Sequence, residues 1–457
     1  MVDAIIAIYN RTIIFFSLPF HFFLLPFYFL FLISCEKQTT PVTLPNPQLT
    51  LTVEDLAVTE AWLRLGAQET AAEQQIIIWR DSSEIYNLSG AIADTTIHDS
   101  ALFPAHNYTY RAELRKNGQK IVGADPVSIT TMDTTSHNFQ WEIFEFGGVH
   151  GSSVLYDVAI VNENDIWAVG EIHTAETDTF DSLGNWVPPY NAVHWDGLDW
   201  ELRRFMVPGP GFGEIYSVFA FGPNDVWMGQ GSARHWDGQQ WIIYNSNNGF
   251  PGAFRVRKIW GTSSENLYFV GEEGNIVHYN GQNWRQMGYG LEVDMHDIWG
   301  AINPQTGEWE ILIVGSKAFQ VNHAKMLLRV EGQYLKTVPD SGLAWTVTGL
   351  WFMPGKRYYV VGDGVFSIRH LGEIWQANGT HPLLYKSAIR GNDINDILIV
   401  GAFGLVSHFN GISWHHYAGS AWPLFDGYYG EVAYKGNLMV AVGQIGNKGL
   451  ILRGWRQ

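Results

Sequence analysis

Ile215–Tyr244, IYSVFAFGPNDVWMGQGSARHWDGQQWIIY, reads as four short strands in succession. Val218 and Ala220 alternate in a first strand, and the Pro223-Asn224-Asp225 turn leads into Val226-Trp227-Met228. Gly229 to Ser232 makes a second turn before Ala233 to Trp236. Asp237-Gly238, two residues that tolerate positive φ, then give a tight hairpin into Trp241–Tyr244. A four-stranded meander this small cannot bury both of its faces, so it requires neighbours of its own kind.

Three landmarks show that the neighbours exist. A glycine closing a second strand recurs at Gly170, Gly229, Gly271, Gly315, Gly362, Gly401 and Gly443, at intervals of 59, 42, 44, 47, 39 and 42 residues. The hairpin signal recurs as Asp196-Gly197, Asp237-Gly238, Asn280-Gly281, Glu331-Gly332, Leu371-Gly372, Asn410-Gly411 and Arg453-Gly454. An aromatic follows each, at Trp200, Trp241, Trp284, Tyr334, Trp375, Trp414 and Trp455. A period of about 40–50 residues with four strands per unit is that of a β-propeller. Seven units predict an all-β fold with a seven-bladed propeller over 141–457. The last unit runs out of chain for its outer strand, whereas Trp141-Glu142-Ile143-Phe144-Glu145-Phe146 is a strand with no inner strands ahead of it. The expectation is that 141–146 supplies the missing outer strand of blade 7 and closes the ring, as is common in propellers of similar design.

Before the ring the chain changes character three times. Residues 1–34 are almost wholly apolar from Ile13 onward and read as an export signal. Leu32-Ile33-Ser34-Cys35 resembles the lipobox of bacterial lipoproteins, which implies lipidation of Cys35, the single cysteine, and a membrane anchor in the cell envelope, with the outer membrane the expected location. The leader departs from the usual charge pattern, with Arg11 its one basic residue and Asp3 near the start. Residues 35–48 form a tether rich in Pro and Thr, EKQTTPVTLPNP after the cysteine.

The segment 49–132 reads as a β-sandwich, with strands at Val58–Leu65, Ile76–Arg80 and Val127–Thr131. Leu102, Pro104, Tyr108 and Tyr110 follow a spacing that resembles the approach to strand F in fibronectin type III domains. The resemblance implies that the Tyr108 hydroxyl bonds nearby backbone and that Trp79 is the buried aromatic of strand C. Such modules serve as spacers or contact platforms, and no Arg-Gly-Asp triplet occurs in this one. A polar hinge, 133–140, joins it to the ring.

Composition narrows the function. The chain of 457 residues carries a formal charge of −17, with 48 Gly, 20 Trp, 20 Tyr and 26 Phe. That acidity disfavours nucleic acid as a partner. No phosphate loop, zinc spacing or Gly-x-Ser-x-Gly elbow is present, so neither a cofactor nor a metal is expected. His194, His235, His278 and His408 recur at one place in the repeat, and a residue repeated from blade to blade serves the blade.

What departs from the repeat is the better guide to function. The loops from second to third strand and from outer to next inner strand share one face in a propeller. Here they include a long insertion, Glu171–Tyr190, and the Tyr417–Tyr429 connection. The candidate ligand-binding residues on that face are Trp186, Phe212, Phe254, Trp345, Tyr385, Trp422, Phe425, Tyr428 and Tyr429, with Glu272 and Asp363. Aromatics with a few carboxylates suit a glycan or a polypeptide. Asp237-Gly238-x-x-Trp241 looks like a sialidase turn but lacks its Ser and its spacing. Runs such as Gly274–Trp284, GNIVHYNGQNW, are more similar to exported bacterial repeat propellers and to those of photosystem assembly factors. The expectation is therefore a lipid-anchored binding protein without catalysis. The alternatives are a glycan-active hydrolase or lyase with converging carboxylates, or a structural scaffold.

Overall fold

The structure, a computed structural model, describes residues 46–89, 94–206, 212–288, 290–318, 324–417 and 426–456. The expected export signal, Cys35, most of the tether, Trp422 and Phe425 lie outside the described residues.

Seven four-stranded antiparallel sheets follow one another, and their inner strands are Val154–Asn162, Ser217–Gly222, Val256–Ser263, Asp294–Ile302, Val347–Met353, Lys386–Asp393 and Gly427–Lys435. In blade 2 the strands are Ser217–Gly222, Asp225–Gly229, Ala233–Trp236 and Trp241–Tyr244, as the repeat implied. Blade 7 consists of Gly427–Lys435, Leu438–Ile445, Lys448–Trp455 and, as its outer strand, Gln140–Phe146. That strand pairs from Gly449↔Phe146 to Trp455↔Gln140, so the ring is fastened by the backbone expected to do so. Arg453-Gly454 does not make a hairpin there. It continues the third strand, and Gly454 is required because the Trp141 ring lies where its side chain would be.

The recurring second-strand glycine has a physical cause. In six blades the inner strand carries a bulge opposite it, with the register shifting across Leu155/Asp157, Val256/Lys258, Met295/Asp297, Val347/Gly349, Lys386/Ala388 and Tyr429/Glu431. The bulge pushes a carbonyl into the space of a Cβ: Val154 O would lie 2.0 Å from one at Gly170, and Arg255, Tyr385 and Tyr428 O equally close at Gly271, Gly401 and Gly443. No other residue fits.

The hairpins into the outer strands are longer than expected. Trp236 pairs with Trp241, so the connection is four residues, not two. Its conformation is set by Asp237 Oδ1, which accepts from Gln239 N and Gln240 N at 2.8 Å, while Gly238 takes φ +89°. The repeated histidines bond within their blades, as expected of residues that serve the repeat. His235 Nε2 lies 2.9 Å from Asp225 Oδ1 and its ring stacks on Trp227 at 4.1 Å, and His194 and His408 reach Asp165 and Asp396 at 2.8 Å.

Residues 48–130 form a sandwich of two sheets. One contains Gln48–Leu56, Glu60–Gln68 and Asp94–Ser100; the other contains Ser83–Ser89, Gln75–Arg80, Asn107–Lys116 and Gln119–Gly123, with Val127–Thr130 on the same edge. Phe103 N donates to the Tyr108 hydroxyl at 2.9 Å, the backbone bond expected of that tyrosine. Trp79 is not in the core. It is half-buried on the outer side, under the Arg115 guanidinium at 5.1 Å, and Leu63, Leu65, Ile76, Ile78 and Tyr110 fill the interior instead. The hydrophobic run Ile76-Ile77-Ile78 puts Ile76 and Ile78 inward, which turns Trp79 out.

Residues 133–139 do not behave as a hinge. Thr135 Oγ1 donates to Asn395 O at 2.6 Å, Tyr417 donates to His137 O at 2.6 Å, and Phe139 is buried against blades 6 and 7. His137 Nδ1 lies 2.7 Å from His408 Nδ1. The segment is a strap held along blade 6, and Pro47–Gln457 forms one unit. The sandwich packs on turns between first and second strands and between third and outer strands: Lys356 meets Asp55 at 2.8 Å, Arg369 and Arg357 meet Glu60 at 2.9 and 3.1 Å, and Gln305 bonds Glu54 at 2.8 Å.

Candidate functional site

At mid-height the axis of the ring is closed by charge. Lys258 Nζ lies 2.7 Å from Asp157 and 3.0 Å from Glu431, and Arg390 bonds Asp297 through two contacts of 2.8 Å. Asp157 also accepts from Val218 N at 3.0 Å, and Asp297 from Leu350 N at 2.9 Å. Every blade contributes one group, five of them side chains and two backbone N–H groups. All five side chains are nearly inaccessible to solvent, so each charge depends on its partners. The network is a floor across the axis, and the cavity that Lys258 and Arg390 line with Trp260, Trp299 and Tyr434, about 230 Å³, lies on the side away from the loop face.

On the loop face, blades 1 to 4 bring charged and phenolic groups together around the axis. The bulges place Tyr156, Arg257 and His296 just above the floor. The Tyr156 hydroxyl donates to Glu214 at 3.3 Å, its ring lies 5.1 Å from that of Tyr216, and Arg255 stacks on Tyr216 at 4.3 Å. Arg257 bridges Glu272 at 3.2 Å and Asp294 at 3.0 Å. Burial, and after it the neighbouring Glu214 carboxylate, push the Glu171 carboxyl up from its ordinary range. His173 lies 3.2 Å from Glu171 and 2.7 Å from Asp178. Burial pushes the Tyr156 and Tyr216 phenols well above their usual range, Glu214 adding to the effect in both, so both stay protonated donors.

Blades 5, 6, 7 and 1 present a different surface. Leu183 and Phe180 stand at the tip of the blade 1 insertion, which forms a small hairpin pairing Thr179↔Val187 and Phe180↔Trp186. With Trp186, Trp345, Leu383, Phe403 and Tyr428 they make an exposed apolar arc on the loop face.

The sequence candidates divide accordingly. Trp186 (45% exposed) and Phe212 meet edge to face at 6.2 Å, and Trp345 (49%) and Tyr428 are exposed. Tyr385 is half-buried, with its phenol pushed up to about 12 by burial. Asp363 is exposed, whereas Glu272 is already paired with Arg255 and Arg257. Two candidates fail. Tyr429 is 0% exposed, because the strand alternation that exposes Tyr428 turns it into the core of blade 7. Phe254 stacks on Phe250 at 5.7 Å over Trp284, plugging a loop. Sequence reasoning missed Tyr156, Glu171, Glu214, Tyr216, Arg255 and Arg257. Glu171 follows Gly170 as Glu272 follows Gly271, and that parallel was the available signal. Among the described residues no group of three or more His, Cys, Asp or Glu side chains is placed to hold a metal ion.

No protein family profile matches the chain, and no curated protein matches it. Solved structures do. One described as YCF48 bound to D1 peptide is similar with a TM-score of 0.50 and 16% identity, covering 71% of this chain and 99% of that one. YCF48 from Cyanidioschyzon merolae gives 0.49 and 14%, with 68% and 98% covered, and the WD40 β-propeller domain of Doa1 gives 0.48 and 12%, with 70% and 98% covered. The first of these likenesses supports the β-propeller fold.

Proposed function

We propose that this chain binds an extended polypeptide across the loop face of its ring and does no chemistry on it. The observation that carries the reading is the division of that face: an exposed apolar arc on blades 5, 6, 7 and 1 beside a cluster of charged groups on blades 1 to 4, with the sandwich packed on the opposite face. A segment with apolar side chains followed by basic ones fits both halves. A similar structure described as YCF48 bound to D1 peptide supports a polypeptide over a glycan as the ligand.

One observation favours the hydrolase alternative, since Glu171 and Glu214, from the second strand of blade 1 and the loop into blade 2, do converge. Against it, Glu171 is held by His173 at 3.2 Å and Glu214 by the Tyr156 hydroxyl at 3.3 Å, so both carboxyls are engaged by partners within this chain. In the polypeptide reading a Lys or Arg side chain pairs with these two carboxyls.

The remaining parts of the proposal concern location. The sandwich, with its Tyr108 corner, is assigned to the fibronectin type III class, and Cys35 to a lipid anchor that holds the protein in a bacterial cell envelope. A peptide array probed with the full chain tests the function, with Leu183→Ser, Trp345→Ala and Tyr428→Ala in parallel. Binding that is lost in these variants supports it. Binding indifferent to all three, or no binding to any peptide, sinks it. Mass spectrometry of the wild type and Cys35→Ser decides the anchor.

A further inference from the structure

Blade 5 lacks most of its outer strand. Gln376–Ala377 pairs with only Phe366 and Ser367, and Trp375, which the repeat places at the start of that strand, is drawn into the interface with blade 4, where its indole donates to Pro339 O. The outer part of the junction between blades 5 and 6 is left unfilled. The sandwich turn Ala57–Glu60 closes one end of the gap, and the result is a cleft of about 710 Å³, within the range of about 300–1,000 Å³ usual for small-molecule sites.

The lining of this cleft is specific in its chemistry. Trp414 and Phe409 offer aromatic surface, and Ser367, Asn378, Thr380 and Ser413 offer neutral donors and acceptors. Its two permanently charged residues, Glu60 and Arg357, pair with each other at 3.1 Å, so the cleft has no charge left to attract an ion. Behind the lining, His381 packs 4.4 Å from Trp414 and 5.2 Å from His416, buried to 8% exposure with neither ring nitrogen bonded.

We propose that the cleft between blade 5, blade 6 and the sandwich binds a short neutral saccharide. A pyranose has an apolar C–H face that stacks on an aromatic ring and a rim of hydroxyls that both donate and accept, which is the combination this lining presents. An extended polypeptide belongs to the other face, so the two sites are independent and either proposal stands if the other fails.

The test is a neutral oligosaccharide array on the full chain, followed by calorimetric titration of the strongest binder. Asn378→Trp fills the cleft from a loop and is expected to leave the thermal midpoint unchanged while weakening binding at least tenfold. Trp345→Ala, on the loop face, is expected to leave saccharide binding unchanged. No binding by any neutral saccharide, undiminished binding in Asn378→Trp, or loss of binding in Trp345→Ala would each overturn the proposal. Should Asn378→Trp shift the midpoint, Thr380→Trp repeats the test from the same loop.

Discussion

Arg390 of blade 6 grips Asp297 of blade 4 through two parallel bonds of 2.8 Å across the axis of the ring. Both side chains are almost fully buried, and Asp297 also caps Leu350 N of blade 5. Removing one partner leaves the other charged and desolvated, which costs about 3–5 kcal/mol. Asp297→Ala is expected to lower stability by that amount in chemical unfolding. A loss under about 1 kcal/mol would show that the axis reorganises around water.

Closure of the ring rests on a close approach. A Cβ on Gly454 would lie 2.3 Å from the Trp141 ring, so Gly454→Ala should cost roughly 1–3 kcal/mol through overpacking. Trp141→Leu in the same chain should recover part of that loss. Urea unfolding of the single and double variants measures both.

Acid should loosen the molecule while its ordinary carboxylates are still ionised. Burial lowers His137 and His296 to about 4 and His381 to about 3, with His408 and His415 adding to the effect at His137. These rings are neutral when folded and protonate when unfolded. The stability they carry is whole above about pH 6.5 and is lost as pH falls towards 4, at roughly 1.4 kcal/mol per unit for each ring. Thermal unfolding from pH 8 to 4 should show a plateau and then a decline, and His381→Phe should make the decline shallower by one proton.

The raised Glu171 carboxyl gives the polypeptide reading a pH signature. A basic side chain pairs with Glu171 only when its carboxyl is ionised, so affinity for a basic peptide should weaken on acidification at a higher pH than an ordinary glutamate would impose. Glu171→Gln should remove the part of the profile that lies above the ordinary glutamate range. An unaltered profile in this variant would place the basic residue elsewhere.

The ring was legible because each landmark has a local cause. Gly170 and its equivalents make room for a bulge, and Asp237 and Asn410 cap the loops that follow them, so any chain with this geometry must write these residues. Gly454 and Trp375 looked the same in sequence but answered to tertiary neighbours, Trp141 in one case and the blade 4 interface in the other. The site was only half legible. Trp186, Trp345 and Tyr428 stand on the face the loop positions implied, yet Tyr429 shows that one step of strand register decides between ligand and core. Glu171 and Glu214 are 43 residues apart, and no local pattern announces that two carboxyls will come together. Trp79 was lost to the same kind of register, with Ile76 and Ile78 taking the inward positions.

The strand that fastens the ring is made first and used last. Phe146 meets Gly449 in blade 7, and at about 5–20 residues per second a ribosome needs roughly 15–60 s to add the intervening chain. Throughout that interval Gln140–Phe146 is an unclaimed strand edge, joined to a sandwich complete enough to fold. The time order of synthesis therefore makes a chaperone or a pairing competitor a natural visitor to Trp141–Phe146, and swapping of that strand between two nascent chains the characteristic error of this architecture.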